Sequence, residues 1–385
     1  MDYLLTEEQI MIRDLAKKIA EDKIRPVASH YDEAEEFPWD IMKLLSQADL
    51  FGVYIDEEYG GIGGGVMELV LVTEELSRAC GGIAICYAAS ALGTYPILLY
   101  GNEEQKKKFL PDLAAGRKLA AFGLTEPDAG SDASGIQTTA ARNGDHYILN
   151  GTKQWITNGG EADIYVIIAM TDKSKGARGA SAFIVEKGMK GFTFGKKEKK
   201  MGIRASATRE LVFTDCPVPK ENILGKEGFG FIVAMKTFDK SRPGVAAQAL
   251  GIAQGALDLA LKYARDRIQF GKPIISFQGV KFMLADMATE VEASRALVYA
   301  AARMIDNGHK DISKESAMTK LYASDVAMKV TTDAVQIFGG YGYMRDYPIE
   351  KYMRDAKITQ IYEGTNQIQR DIIATELIKE RARQK

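Results

Sequence analysis

A chain of 385 residues, 46% hydrophobic and 26% charged, is long enough to bury more than one core. Its formal net charge of −2, from 50 basic and 52 acidic side chains, leaves no basic excess for nucleic acid or an anionic membrane surface. Cys80, Cys86 and Cys216 lack metal-ligand spacing and fit a reducing compartment. The three histidines, His30, His146 and His309, lie far apart, so no metal site is expected and acid–base chemistry falls to carboxylates.

The N-terminus, M-D-Y-L-L-T-E-E-Q, reads as neither a signal nor a transit peptide. Apolar runs such as 164–170 fall short of the roughly 18–20 residues of a membrane span. A cytoplasmic chain with no membrane partner is therefore expected. The first third reads helical. Thr6-x-x-Gln9 is a capping-box pattern, and Ile12, Leu15, Ala16 and Ile19 then mark one apolar helix face. Phe37-Pro38-Trp39 opens a second helix. The glycine-rich run 59–65 has no βαβ frame and reads as a loop, not a dinucleotide fingerprint. A helix is expected over 66–78, close-packed small residues over 79–92, and a short polar helix over 102–111.

The character changes near Leu119. β-prone runs at 137–141, 146–152, 164–170, 180–185 and 210–213 alternate with turn signals such as Asn143-Gly144-Asp145 and Asn158-Gly159-Gly160. They imply an antiparallel sheet or barrel of about 100 residues. Cys216-Pro217-Val218-Pro219 is expected to end it, since two prolines argue against a central strand. Long amphipathic segments near 229–265, 277–307, 312–339 and 368–383 then predict an antiparallel four-helix bundle. The fold class is α+β multidomain: an all-α domain over 1–118, a middle β domain over 119–225, and a C-terminal bundle over 226–385.

The stretch R-D-A-K-I-T-Q-I-Y-E-G-T-N-Q-I-Q, 354–369, stands out. One helix is expected to stop near Thr359 and another to start near Thr365 or Asn366. Glu363 is left on a short turn beside Ile361 and Tyr362. A carboxylate among apolar neighbours has its pKa raised toward neutrality and becomes a candidate general base. A solvated loop glutamate is the other reading of this stretch.

Five motifs, in order, carry a resemblance. They are F-G-L-T-E-P-D-A-G-S-D (122–132), K-Q-W-I-T-N (153–158), R-I-Q-F-G-K-P-I (267–274), Q-I-F-G-G-Y-G-Y (336–343) and I-Y-E-G-T-N-Q (361–367). On the α–β–α frame the whole chain resembles the acyl-CoA dehydrogenase family, in its short- and medium-chain, butyryl-CoA-dehydrogenase-like branch. The resemblance implies FAD, an acyl-CoA substrate in fatty-acid β-oxidation, an electron-transferring flavoprotein as electron acceptor, and a homotetramer built as a dimer of dimers. It makes Glu363 the base for the α-proton, with Tyr362 and Gly364 beside it on the substrate side. It places Phe122, Leu124, Thr125, Trp155, Ile156 and Thr157 around the flavin ring, and Ser131 at both cofactor and substrate. Arg267, Gln269, Phe270, Phe277 and Gln278 would reach a neighbouring subunit's cofactor. Gln336, Ile337, Gly339 and Gly340 would lie near adenine and pyrophosphate, with Thr365, Asn366 and Gln367 at phosphate or ribityl groups. Asp239 and Arg242 would hold the CoA portion; a surface salt bridge is the plainer role for Arg242.

Some relatives carry the base at the position of Ser241, which is no base here, and this favours Glu363. Asp128 departs from the glycine or asparagine common in relatives and is expected in solvent. The same fold leaves room for an enoyl-CoA reductase, for a dehydrogenase of cyclic, branched or dicarboxylic acyl-CoA, or for an acyl-CoA oxidase. A non-enzymatic helical interaction module is the remaining alternative.

Overall fold

The computed structural model describes residues 3–383, so Met1 and Asp2 of the N-terminal reading and the last two residues of the bundle lie outside the described residues. Six helices come first: α1 (Glu7–Ile19), α2 (Ala28–Ala34), α3 (Trp39–Gln47), α4 (Val66–Ala79), α5 (Gly81–Tyr100) and α6 (Glu103–Ala114). The Thr6 hydroxyl accepts from Gln9 N–H and the Gln9 side chain returns the bond, closing the expected capping box. On α1, Ala16 and Ile19 are buried as the periodicity requires, but Leu15 is 41% exposed because the helix meets its neighbours over a narrower stripe. Residues 59–65 form a loop. The Asp306 carboxylate caps the helix behind it, accepting from the N–H groups of Val66 and Met67 at 2.8 Å each.

The expectation that no run approaches membrane length fails at α5. Its 20 residues carry no charge and are long and apolar enough to cross a bilayer, as is a stretch of the long helix α7 (Gly230–Asp266). Both windows are 78% buried within the protein. The missing charges on α5 reflect neighbours on every side: a Cβ on Gly93 would sit 2.6 Å from the Ala121 nitrogen.

Eight strands follow: β1 (Ala120–Gly123), β2 (Thr139–Asn143), β3 (His146–Thr157), β4 (Ile164–Met170), β5 (Ala180–Glu186), β6 (Phe192–Lys197), β7 (Thr208–Pro219) and β8 (Ile223–Leu224). They form one sheet in the order β6-β7-β3-β2-β4-β5-β8, with β1 lying parallel to β4. The pairing is otherwise antiparallel apart from a single parallel bridge between β2 and β4. The expectation that the two prolines end the sheet is overturned. β7 runs through both, with Pro217 opposite Ile148 and Pro219 opposite His146. They are tolerated because pairing with β6 stops at Phe213, so from there β7 has one free edge. Three strands lie outside the expected β-prone runs: the short, wholly buried β1, the lysine-bearing edge strand β6 and the two-residue β8.

The remaining helices are α7, α8 (Gln278–Asp306), α9 (Ser313–Phe338), α10 (Ile349–Thr359) and α11 (Asn366–Arg383), with a small hairpin of β9 (Ile268–Gln269) and β10 (Lys272–Pro273) after α7. The four long helices pack as a bundle, with α10 added against α7 and α9. Helix α7 continues past Pro243, which has no N–H to offer the Asp239 carbonyl one turn back. The Ser316 hydroxyl of α9 donates to that carbonyl at 2.6 Å and repairs the loss.

Beneath the loop joining β1 to β2, Lys153 is fully buried and pairs with Glu126 at 2.6 Å. Glu126 also accepts from the N–H groups of Gln137 and Thr138. Glu126→Ala would leave a buried ammonium without its counter-charge and orphan both N–H groups. A loss of about 3–5 kcal/mol is expected, read by chemical denaturation; a loss under about 1 kcal/mol would show that the pair does not hold this loop.

Candidate active site

The site is a cleft of about 350 Å³ where α5, the sheet, α7 and the turn before α11 converge. One wall comes from β3. Its pairing with β7 slips between Lys153 and Ile156, so Gln154 and Trp155 face the single residue Glu210. This bulge puts Trp155 in a left-handed conformation (φ 56°) and turns its indole out of the sheet, 58% exposed. Phe122, Leu124, Thr125, Ile156 and Thr157 line the cleft with it, as do Ser131 at the loop and Phe231 and Phe238 from α7.

The facing wall is the turn expected between two helices. α10 stops at Thr359, and Thr365 caps α11 through its hydroxyl to Ile368 N–H at 3.3 Å. Between them Glu363 and Gly364 both have positive φ, 51° and 92°. A Cβ at Gly364 would lie 2.7 Å from the Gln369 amide nitrogen, so glycine is required there. The Glu363 carbonyl accepts from Gln369 Nε2 at 3.1 Å and Arg242 Nε at 3.4 Å. Its N–H has no partner among the described residues.

Glu363 is half-buried, and its carboxylate lies at the meeting of the cleft and a smaller chamber, held by Ser241. Burial raises its pKa above the ordinary carboxylate value. The Ser241 hydroxyl, donating to Oε2 at 2.6 Å, and the charges of Arg242 and Lys320 pull the other way. A solvated loop glutamate is thus excluded. Ser241, dismissed above because it is no base, is the carboxylate's nearest polar partner. Arg242 is only 4% exposed, so the surface-salt-bridge role falls too; its partner Asp239 is buried and also held by Ser313. The Tyr362 hydroxyl bonds the Gln248 side chain. Asn366 turns away from the cleft, bonded to Lys320, Ser324 and Asp325. Gln367 is exposed on the first turn of α11, and Asp128 is exposed as expected.

A smaller apolar chamber of about 50 Å³ opens beside Glu363 and shares Ala89, Leu92 and Thr157 with the cleft. Leu69, Ile85, Tyr95 and Val245 close it, and it contains no cation. The small residues of α5 thus serve both close packing and a cavity, which the sequence pattern alone could not separate. Arg267, Gln269, Ile337, Gly339 and Gly340 meet elsewhere, in an open depression of about 500 Å³. Phe270 stands beside it 93% exposed, edge-on to Phe277 at 5.8 Å, with Gln278 and Gln336 exposed nearby in sequence.

This cleft fits the flat ring of a flavin: its volume lies in the ligand-site range, one wall is an indole raised from the sheet, and a threonine hydroxyl sits beside it. The space in front of Gly339 and Gly340 is open, as a phosphate-bearing chain would need. No cluster of metal-ligating side chains occurs among the described residues. An α–β–α frame with one enclosed carboxylate facing such a cleft defines a cofactor-dependent oxidoreductase. The N-terminal, middle and C-terminal domain profiles of the acyl-CoA dehydrogenases match residues 6–117, 121–216 and 228–378, and the chain belongs to that FAD-dependent family.

The short-chain-specific acyl-CoA dehydrogenase of Clostridium acetobutylicum is 50% identical over 380 residues, 98% of this chain and all of that protein. The acryloyl-CoA reductase (NADH) of Anaerotignum propionicum is also 50% identical, over 98% of this chain and 96% of its own. Among solved structures, butyryl-CoA dehydrogenase from Megasphaera elsdenii superposes with a TM-score of 0.96 at 51% identity, covering 98% of this chain and 100% of its own. A chain from work on the electron transferring flavoprotein of Acidaminococcus fermentans and flavin-based electron bifurcation gives 0.96 at 56% identity, with 98% and 99% covered.

Ser241→Ala removes the hydroxyl that favours ionised Glu363. The acid limb of the pH–rate profile should move to higher pH by about one unit, the scale of one hydrogen bond to a charged group. A pH profile of acyl-CoA turnover checks this; a limb that stays put would mean the bond is broken in the working enzyme.

Proposed function

We propose that this chain removes two hydrogens across the α,β bond of a short, unbranched acyl-CoA and passes the electrons to an electron-transferring flavoprotein. The observation that supports it most is the position of Glu363, enclosed between the indole-walled cleft and a small uncharged chamber. The carboxylate takes the α-proton. A carbon acid beside a thioester loses that proton only if negative charge on the thioester oxygen is stabilised, and the unpartnered Glu363 N–H is the donor in place for it. Gln369 and Arg242 hold the other face of that peptide, so the donor keeps its direction. FAD, when bound, accepts the β-hydrogen as hydride. Trp155 and Thr157 would bound its ring, with Phe122, Leu124, Thr125 and Ile156 lining the same cleft, and Ser131 would lie toward the substrate.

The closed chamber supports a short acyl tail, and its lack of a cation speaks against a dicarboxylate. Asp239 and Arg242 lie toward the CoA portion. The second depression, with Phe270, Ile268 and Tyr343 exposed around it, supports a homotetramer in which Arg267, Gln269, Phe277 and Gln278 reach a neighbour's cofactor. Gln336, Ile337, Gly339 and Gly340 would lie near the adenine and pyrophosphate, and Thr365 and Gln367 near phosphate or ribityl groups. With domains at 1–118, 119–225 and 226–385, every domain contributes a wall of the site.

A second reading has the same residues running the reaction backwards, as an enoyl-CoA reductase. The equal identity to the acryloyl-CoA reductase favours keeping it. Direction depends on the electron partner, not on the base, which returns the proton by the same path.

Glu363→Gln should keep FAD and lose turnover by about 10²–10⁴-fold, the usual worth of a positioned base; near-native turnover would remove Glu363 from the mechanism. Anaerobic flavin bleaching with butyryl-, octanoyl- and palmitoyl-CoA should be fastest with butyryl-CoA and weak with palmitoyl-CoA. A preference for glutaryl-CoA would overturn the short, uncharged tail, and peroxide formed in air at the rate of turnover would mark an oxidase.

A further inference from the structure

Lys320 lies about two turns into α9 on a face otherwise made of small residues; Ser316, Ala317, Ala323, Ser324 and Ala327 around it are all buried. It is itself 0% exposed. Its ammonium donates to the Gly364 carbonyl at 2.8 Å and to Asn366 Oδ1 at 2.9 Å. Among the described residues it forms no salt bridge, whereas Lys153, also 0% exposed, has Glu126 at 2.6 Å, and the buried Lys351 is paired with Asp355. A buried cation served only by neutral acceptors is costly. If the task were only to tie α9 to α11, a neutral donor would do it at lower cost.

What makes this position unusual is the turn it touches. Gly364 directly follows Glu363, and both residues are left-handed. The groups around the turn are few. From α7 come Ser241 and Arg242, the first on the carboxylate and the second on the carbonyl. From α11 Gln369 holds both carbonyls of the turn. Asp325 of α9 is already shared among Gln360, Asn366 and Arg370. Tyr95 of α5 lies on the chamber side. Burial pushes the Lys320 ammonium down to about 7. The Glu363 and Asp325 charges support it and Arg242 opposes it. Lys320 in turn is one of the groups that favour ionised Glu363.

We propose that Lys320 is a positioning residue for the reaction: from beneath the turn it fixes the Gly364 carbonyl, so that the Glu363 carboxylate and N–H keep their aim, and it supplies counter-charge to the base. The inference rests on Glu363 being the base. Lys320 takes no role in any bond-making step and does not touch substrate.

The test uses holoenzyme of Lys320→Met and Lys320→Gln with butyryl-CoA, reading FAD content, thermal midpoint, KM, kcat and the pH profile of kcat. Both variants should retain FAD. For Lys320→Met, kcat should fall about ten- to a hundredfold, as expected for a misaimed catalytic group, with KM changed by less than about threefold. Its acid limb should move to higher pH, because removing a nearby cation makes Glu363 hold its proton more tightly. Lys320→Gln keeps a donor for the Gly364 carbonyl but no charge, so it should recover some of the lost kcat and still show the shifted limb. If Lys320→Met does not fold, Lys320→Gln alone decides through its acid limb. A limb coinciding with the native one, with kcat within about twofold of it, overturns the proposal. A native-like rate in Glu363→Gln would instead overturn the assignment of the base, so the two failures are told apart.

Discussion

The carboxylate of Glu363, set beside an apolar chamber and, in the proposed reaction, ionised to act as a base, is the constraint around which this molecule is arranged. Burial pushes Glu363 toward its neutral form. The fold answers with neutral or distant partners and, among the described residues, no direct salt bridge: a serine hydroxyl on the carboxylate, an arginine on the carbonyl and a lysine beneath the next peptide. Each comes from a long helix of the bundle. A full ion pair at the carboxylate would hold its pKa too low for a base; no partner at all would leave it protonated.

That arrangement explains features that look unrelated. Pro243 stands just beyond Ser241 and Arg242, and the carbonyl it frees is recovered by Ser316 of α9. The same helix α9 carries Lys320, so one interface both repairs α7 and supports the turn that holds Glu363. Asp239, one turn before the proline, is fixed by Ser313 at the start of α9. The result is a block of helices with Glu363 at the edge that faces the cleft and the sheet bringing the opposite wall.

Much of this was legible in local sequence. The Thr6 capping box, the breaks around Glu363 and the glycine at 364 each follow from the residues at those positions. What could not be read locally depends on a partner far along the chain. Pro217 and Pro219 are tolerated only because β6 ends opposite Phe213. The exposure of Trp155 needs Glu210 to pair against two residues. An uncharged stretch of 20 residues gives no sign of whether lipid or protein surrounds it. Ser241 and Lys320 are ordinary residues on ordinary helices until the turn is placed against them. A buried lysine on a face of alanines and serines was the one available hint.

The bulge in β3 also separates two demands usually made of one residue. Ile156 and Lys153 on either side point inward and carry the packing and the ion pair, while Trp155 stands in the cleft with little of its surface committed to the core. The wall of the cleft can therefore change shape without disturbing what keeps the sheet folded. A lineage with this bulge can vary the cleft wall at a single position away from the packed face, within the limit set by the left-handed backbone there, which disfavours β-branched side chains.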